Sequence, residues 1–188
     1  MTPTIREDLP RIFRMGKYFD GLVDLCNWAA PITKGLNAVE VGSYIGESAE
    51  VISAFYKMLW CIDPWGNELQ GKPGVLAKDI FLKRFPGAFN QSGCLRDCGC
   101  TVVAIEKSSP KAASMFVGEN IGLVYIDGNH GYLEVKNDIL AWLQIIQKGV
   151  IAGHDYDPVL QPGVVQAVNE IFGKPPLLFQ DTSWAFVM

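Results

Sequence analysis

The chain has 188 residues, is 49% apolar and 19% charged, and carries a formal net charge of -4 with a pI near 5.2. That length suits one domain able to bury roughly two-thirds of its unfolded surface without staples. The acidic balance argues against a nucleic-acid-binding module, which would carry a basic face. No apolar run approaches the length that spans a bilayer, so no membrane partner is expected. The opening MTPTIREDLPRIFRMGKYF mixes acids and bases and lacks a signal-peptide core, so the expected location is the cytoplasm. Five cysteines, an odd number, do not suit a disulfide framework.

In chain order, apolar positions at Ile12, Phe13, Phe19, Leu22, Val23, Leu25 and Cys26 predict a leading helix, or two short ones, over 11–29, ended by Pro31. Ala38 to Gly42 reads as a buried strand. Val51, Ile52, Phe55, Met58 and Leu59 follow at helical spacing. Leu59 to Asp63 is a second strand, bounded by Pro64. A helix over 75–85 precedes a third strand, Thr101 to Glu106, and a short helix near 110–116 precedes a fourth, Gly122 to Asp127. A helix over 132–147 shows one apolar face, with Tyr132, Val135, Ile139, Trp142 or Leu143, and Ile146. Gly149 to Gly153 is a fifth strand, Pro162-Gly163 opens a helix ending near Gly173, and LLFQ with SWAFVM forms a closing pair of strands. Strands alternating with helices predict a parallel sheet covered on both faces. Right-handed crossovers put the polar strand ends along one edge, where ligands bind in such sheets. Those ends are Glu40 to Gly46, Asp63, Glu106 to Ser109, Asp127 to His130, and His154-Asp155.

The first of these loops, Glu40-Val-Gly-Ser-Tyr-Ile-Gly46, fits either a tight turn or a nucleotide loop. A dinucleotide alignment starting at Gly42 would place Tyr44 at the second glycine and Glu47 at the third. Tyr44 denies a pyrophosphate its close backbone approach, and Glu47 sets like charge at the helix start. A nucleoside with a cationic or zwitterionic arm suits the loop better. Asp63 closes the next strand, about 20 residues beyond Gly42, where a carboxylate can accept two hydrogen bonds from a ribose diol.

The runs Glu40-Val-Gly-Ser-Tyr-Ile-Gly46 and Cys61-Ile-Asp-Pro-Trp65 resemble the first two motifs of class I S-adenosylmethionine (SAM) methyltransferases. Tyr125-Ile-Asp-Gly-Asn-His-Gly-Tyr132 and Gly153-His-Asp-Tyr156 are similar to the macrocin O-methyltransferase and cephalosporin-hydroxylase-like branch, distantly related to catechol O-methyltransferase. The likeness covers about residues 36–173. It implies one α/β domain over 1–188 with the Rossmann-like SAM methyltransferase fold, mostly parallel with an antiparallel C-terminal strand. Residues 1–35 would be a helical leader, 36–173 the motif-bearing core and 174–188 the closing strands. It further implies that Glu40, Gly42, Ser43, Gly46 and Asp63 hold the cofactor, with Tyr44, Ser109 and Asp127 as added contacts.

His130 and His154, the two histidines of the chain, lie just beyond strands and accompany Asp127 and Asp155. Two carboxylates held close need a shared proton or a cation between them. An oxygen-rich site suits Mg²⁺ or Ca²⁺, whereas a histidine ligand moves the preference toward Mn²⁺, Fe²⁺ or Zn²⁺. The family resemblance implies metal ligands at Asp127 and Asp155. The position after Asp155, usually an acid or amide in those relatives, is Tyr156 here, with His154 on the other side. An acceptor alcohol must lose a proton to attack a sulfonium methyl, and an imidazole or a metal can arrange this. His130 stands three residues after Asp127, where the catechol relatives carry a catalytic lysine, and is favoured as base with Asp127 beside it. His154 would bind the metal or serve as an alternative base.

Other signals are weaker. Cys94, Cys98 and Cys100 do not follow a usual zinc spacing. Ser108 and Ser109 suit a helix cap as well as a cofactor contact. Residues 64–74 are rich in turn formers and read as a flap. The leading reading is a SAM-dependent O-methyltransferase acting on a small-molecule or sugar hydroxyl, assisted by a divalent cation (Mg²⁺ or Mn²⁺), with a homodimer possible through the leader and tail. The competing readings are an NAD-dependent oxidoreductase, a silent SAM-binding module, and a metal hydrolase.

Overall fold

The computed structural model describes residues 3, 5–174 and 176–188. Positions 1, 2 and 4 of the expected leader and position 175 of the closing segment lie outside the described residues. The sheet is built from β1 (Asn37–Val41), β2 (Met58–Asp63), β3 (Cys94–Leu95), β4 (Thr101–Glu106), β5 (Ile121–Ile126), β6 (Val150–Gly153), β7 (Leu177–Leu178) and β8 (Trp184–Val187). Their order is β3-β4-β2-β1-β5-β6-β8-β7. The pairs from β4 through β6 are parallel, and β3, β8 and β7 join antiparallel.

The strands read as near-continuous apolar runs because helices cover both faces. Alternation assigns Ala38, Leu59, Cys61, Leu123 and Tyr125 to one face, with Leu22, Leu25 and Cys26 of α1 (Lys17–Ile32) and Phe81 of α3 (Ala77–Arg84). Val39, Val41, Val124, Ile126 and Ile151 point the other way, against α5 (Tyr132–Leu143), α6 (Pro162–Phe172) and Ala112 and Ala113 of α4 (Ser109–Ala113). The short α2 (Glu47–Ser53) follows β1 directly and is buried along its whole length. Glu40 shares the face of Ala38, which places a carboxylate inside the sheet–helix layer.

Several boundaries differ from the sequence pattern. The leading helix starts at Lys17, because Gly16 takes a positive φ of 52° and the chain before it runs as bends and turns. Pro31 does not end that helix. It sits inside the last turn, where the helix runs on to Ile32. The helix over 132–147 stops at Leu143, and Trp142 rather than Leu143 is its fully buried member. The edge strand β3, too short to show a period, pairs Cys94 with Val102. No helix among the described residues is long and apolar enough to cross a membrane.

The sheet reverses its order of building between β1 and β5, and that is where the crevice opens. The two loops leaving these strands touch. Gly42 has φ 85°, and a Cβ on it would lie 2.2 Å from the Asp127 carbonyl oxygen. The Asp127 N–H donates to the Val41 carbonyl at 2.8 Å, and the His154 N–H to that of Ile126 at 3.1 Å. Gly42→Ala combines a left-handed backbone with a backbone clash, so it should cost about 3 kcal/mol in denaturant unfolding. Gly66→Ala, where a Cβ meets open space, is the matched control and should change stability little.

Candidate active site

The strand ends open into one cleft of about 1030 Å³. Gly42, Ser43, Tyr44, Asp63, Ser109, Asp127, His130, His154 and Asp155 all line it. Two expected cofactor residues do not. Gly46 turns the chain into α2 at φ 83° with its α-carbon against Phe85 and Phe81. Glu40 is fully buried, and neither carboxylate oxygen has a hydrogen-bond partner among the described residues. Burial raises its pKa, opposed by the nearby Ser43 and Ser48 hydroxyls.

Asp63 is a structural tie as well as a candidate ribose ligand. Its two oxygens accept the Tyr44 N–H at 2.9 Å and the Trp65 N–H at 2.6 Å. Both partners have positive φ, 45° and 46°, and the carboxylate holds them there. Burial raises the Asp63 pKa, while those two N–H groups pull it down. Each oxygen keeps a lone pair for a ligand hydroxyl. Trp65 packs on Phe81 and Phe89, and its indole N–H donates to the Tyr44 carbonyl at 2.8 Å. The segment expected to be a flap is pinned, since the Tyr44 hydroxyl donates to the Glu68 carbonyl and accepts the Gln70 N–H. Ser43 Oγ lies buried in the cleft wall with no partner among the described residues, which leaves a polar atom for a ligand to satisfy.

At the far end stand the two histidines and two carboxylates. His130 Nε2 lies 3.0 Å from Asp155 Oδ2, and His154 Nδ1 lies 3.2 Å from Asp155 Oδ1 and 3.7 Å from Asp127 Oδ1. Burial opposes ionisation of Asp155, but bonds from both imidazoles outweigh it and hold its pKa below the usual carboxylate range. Asp155 raises the His130 pKa against burial, with Asp127 adding to it. Burial also opposes the His154 charge, yet Asp127 and Asp155 raise that pKa overall. Asp127, His130 and Asp155 each offer a ligand atom, all within 4.8 Å of one another. His154, expected as a ligand, is not in that group. It faces the carboxylates through Nδ1, and its Nε2 is buried without a partner among the described residues. All five cysteines are free thiols.

The side chain that the motifs did not reveal is Arg14. The leader passes over the cleft mouth, and Arg14, 4% exposed, turns inward. Its guanidinium donates to Asp127 Oδ2, to the Tyr125 hydroxyl at 3.0 Å and to Asp181 Oδ2 at 3.4 Å. Burial works against that charge, but Tyr125, Asp127 and Asp181 overcome it and raise the pKa. Glu47 and Glu50 hold the rest of the strap. Glu47 accepts the N–H groups of Ile12 and Phe13 at 2.8 and 3.0 Å, and Glu50 accepts Arg11 at 2.5 Å and the Arg6 N–H at 3.0 Å. Glu47 thus turns toward the leader and not toward a phosphate site. A legible signal existed, because three of the chain's five arginines stand within the first fourteen residues. Asp138 was also unforeseen. It is 7% exposed on α5, beside Ser109, whose hydroxyl accepts the Trp142 indole N–H at 2.8 Å. Burial pushes the Asp138 pKa up to about 6, opposed by Ser109.

Comparisons with known proteins agree with this geometry. The model of a methyltransferase-domain family matches residues 39–156, more than half of the chain, and the chain belongs to that family. It is a SAM-dependent methyltransferase. No curated protein matches. Among solved structures, the calicheamicin methyltransferase CalS11, described as a TDP-rhamnose 3'-O-methyltransferase, superposes with TM-score 0.62 at 15% identity, over 90% of this chain and 79% of that one. A candidate caffeoyl-CoA O-methyltransferase from Staphylococcus aureus gives 0.60 at 12% identity, over 96% and 85%. A candidate methyltransferase from Streptococcus mutans, in complex with S-adenosylhomocysteine (SAH), gives 0.58 at 11% identity, over 91% and 96%. At these identities the likeness establishes the fold.

Two outcomes test the site's electrostatics. Arg14→Ala leaves Asp127 and Asp181 without their cation and should cost about 3 kcal/mol in chemical unfolding. Asp138 binds its proton more tightly folded than unfolded, so its contribution is whole below about pH 4 and is lost as pH rises through about 6. Asp138→Asn should therefore raise the melting temperature at pH 7.5, by the equivalent of about 3 kcal/mol, and leave it nearly unchanged at pH 4.

Proposed function

We propose that the protein is an O-methyltransferase for a small-molecule or sugar hydroxyl, with His130 as the general base. The observation that carries this reading is the His130–Asp155 pair opening into the same cleft as the Gly42–Tyr44 loop and Asp63. The cleft fits SAM, since it joins a backbone cradle at Gly42, an unpartnered Ser43 hydroxyl and a carboxylate at the end of β2. Bound SAM supplies an activated methyl group on sulfur, whose departure needs no acid.

The chain's own residues then have two tasks. The first is positioning: Gly42, Ser43 and Asp63 hold the nucleoside side while the leader and the loop after β6 confine the acceptor, which converts an encounter into an aligned displacement. The second is the acceptor proton. His130 gives its Nε2 hydrogen to Asp155, which leaves Nδ1 as the acceptor nitrogen. Asp155 steadies the imidazolium that forms. Arg14 and His154 balance Asp127 and Asp155, so the new positive charge arises beside carboxylates already partnered.

A second reading is favoured by the Asp127, His130 and Asp155 group. Two carboxylates and an imidazole suit Mn²⁺ or Mg²⁺, which would lower the pKa of a bound hydroxyl. His130 cannot then serve as the base through the same pair.

Calorimetric titration tests both readings. SAM should bind at one site per chain, NAD should give no heat, and Asp63→Ala should weaken SAM at least tenfold. In an acceptor screen read by SAH release, His130→Ala should lower turnover about 100-fold, with SAM affinity within threefold of the parent. Stoichiometric Mn²⁺ binding by electron paramagnetic resonance, lost in Asp155→Ala, would favour the metal reading over the base reading.

A further inference from the structure

The cleft has an uneven charge lining. Among the described residues, Glu47, Asp63, Asp127, Glu134, Asp138 and Asp155 face it, against one guanidinium, Arg14, and no lysine. Arg14 is not available to a ligand anion, because Asp127 and Asp181 already take its charge. The histidines are similarly committed, His130 to Asp155 and His154 to Asp155 and Asp127. The helix N-terminus nearest the histidines, that of α5, is covered by its own Glu134, whose Oε2 would lie 2.3 Å from a Cβ on Gly131. A phosphate group entering here would lose its hydration and meet carboxylates, with neutral donors such as Asn129, Asn137 and Gln161 but no uncommitted cation to offset its charge.

The acceptor side of the mouth has a different character. Phe13, Met15 and Tyr18 of the leader are 49%, 63% and 39% exposed and line the same cleft. Phe13 leans on the Tyr44 ring at 6.2 Å, and Tyr18 meets the His154 ring nearly edge-on at 6.1 Å. Glu47 fixes the backbone beneath Phe13 by two hydrogen bonds, so these side chains form a held wall and not a loose end. A wall of aromatic and thioether groups beside the His130–Asp155 pair gains by covering itself with a flat apolar surface.

From this we infer that the acceptor is an uncharged hydroxyl compound with a flat apolar face, received between the leader wall and His130, and that the site refuses acceptors carrying phosphate. The inference rests on the O-methyltransferase reading and narrows its substrate class. Charge selectivity comes from the absence of a free cation in the lining, since opposed potentials penalise a wrong partner more than matched ones reward a right one. Two of the three named relatives carry phosphate-bearing compounds in their descriptions, so the lining would set this chain apart from those two at the acceptor.

The test is titration onto the full chain, first with SAH and then, on the SAH-loaded protein, with caffeyl alcohol, caffeoyl-CoA and TDP-rhamnose. The first two share one hydroxylated ring and differ in the phosphate-bearing carrier. Caffeyl alcohol should bind at least ten times more tightly than either phosphate-bearing compound. Comparable or tighter binding of caffeoyl-CoA or TDP-rhamnose overturns the inference, and so does failure of caffeyl alcohol to bind. Failure of SAH itself to bind is a separate result, and it removes the underlying cofactor assignment. Met15→Lys places a cation on the leader wall and should narrow the ratio at least threefold in favour of caffeoyl-CoA. An unchanged ratio takes the leader out of the acceptor site.

Discussion

Arg14 brings a full positive charge to a position only 4% exposed, and the charge is tolerable there because Asp127 and Asp181 stand beside it. Desolvating a guanidinium is expensive unless its partners are close and its donors are used. Tyr125 takes a further donor, and the Ser183 hydroxyl joins Tyr125 to Asp181 at 3.0 Å on each side. The clasp thus joins the leader, the C-terminal end of β5, the loop after β5 and the turn before β8. Together with the Glu47 and Glu50 ties, it holds the leader across the strand ends, so that the crevice is walled on that side.

The same clasp changes the electrostatic problem posed by the carboxylates. Two acids near each other require a proton or a cation. The chain brings its own partners, a guanidinium cation for Asp127 and two imidazole nitrogens for Asp155. Asp155 is held ionised and can hold His130 by Nε2, while Asp127 is held by a group that cannot give up its charge. This division gives the histidine a fixed orientation before any acceptor arrives. The donor geometry also leaves room for an ion among Asp127, His130 and Asp155, so the base and metal readings use the same atoms differently and exclude each other at His130.

Much of this was legible in the sequence, because the parts that carry it are local. Short apolar runs bounded by turn residues identify the strands, and a Gly-bearing loop after the first strand and an acid after the second follow the same logic in many sheets. His130, His154, Asp127 and Asp155 could be grouped because each follows an apolar run ending on the same edge. Arg14, Asp181 and Tyr125 could not be grouped, since nothing local relates positions 14, 125 and 181. Tyr125 reads as one more apolar residue of a buried strand, and its hydroxyl matters only once the leader returns over it. Glu47 is the instructive case. As a like charge at a helix start it argues correctly against a pyrophosphate, but its positive role, holding the Ile12 and Phe13 backbone, depends on a contact made across more than thirty residues. Helix ends at Pro31 and Leu143 differ from the pattern for ordinary reasons: Pro31 gives up only its own bond to the carbonyl four residues back, one residue before the helix ends, and an apolar pattern can outrun the helix that begins it.

The two sides of the cleft are built by different means, and this bears on how the chemistry and the selectivity are divided. On the side of Gly42 and Asp63, backbone does the holding. Gly42 approaches the Asp127 carbonyl too closely for any side chain, and Asp63 fixes two left-handed residues through their N–H groups. Such a cradle has little freedom to vary, because each part is strained and depends on its neighbour. On the leader side, side chains of a strap form the wall, and the strap is tied by Glu47, Glu50 and Arg14 through bonds that do not involve the Phe13, Met15 or Tyr18 side chains. Phe13, Met15 and Tyr18 can therefore change without disturbing those ties. The anchors fix where the wall stands, and the exposed side chains between them set the character of the surface it presents to the cleft.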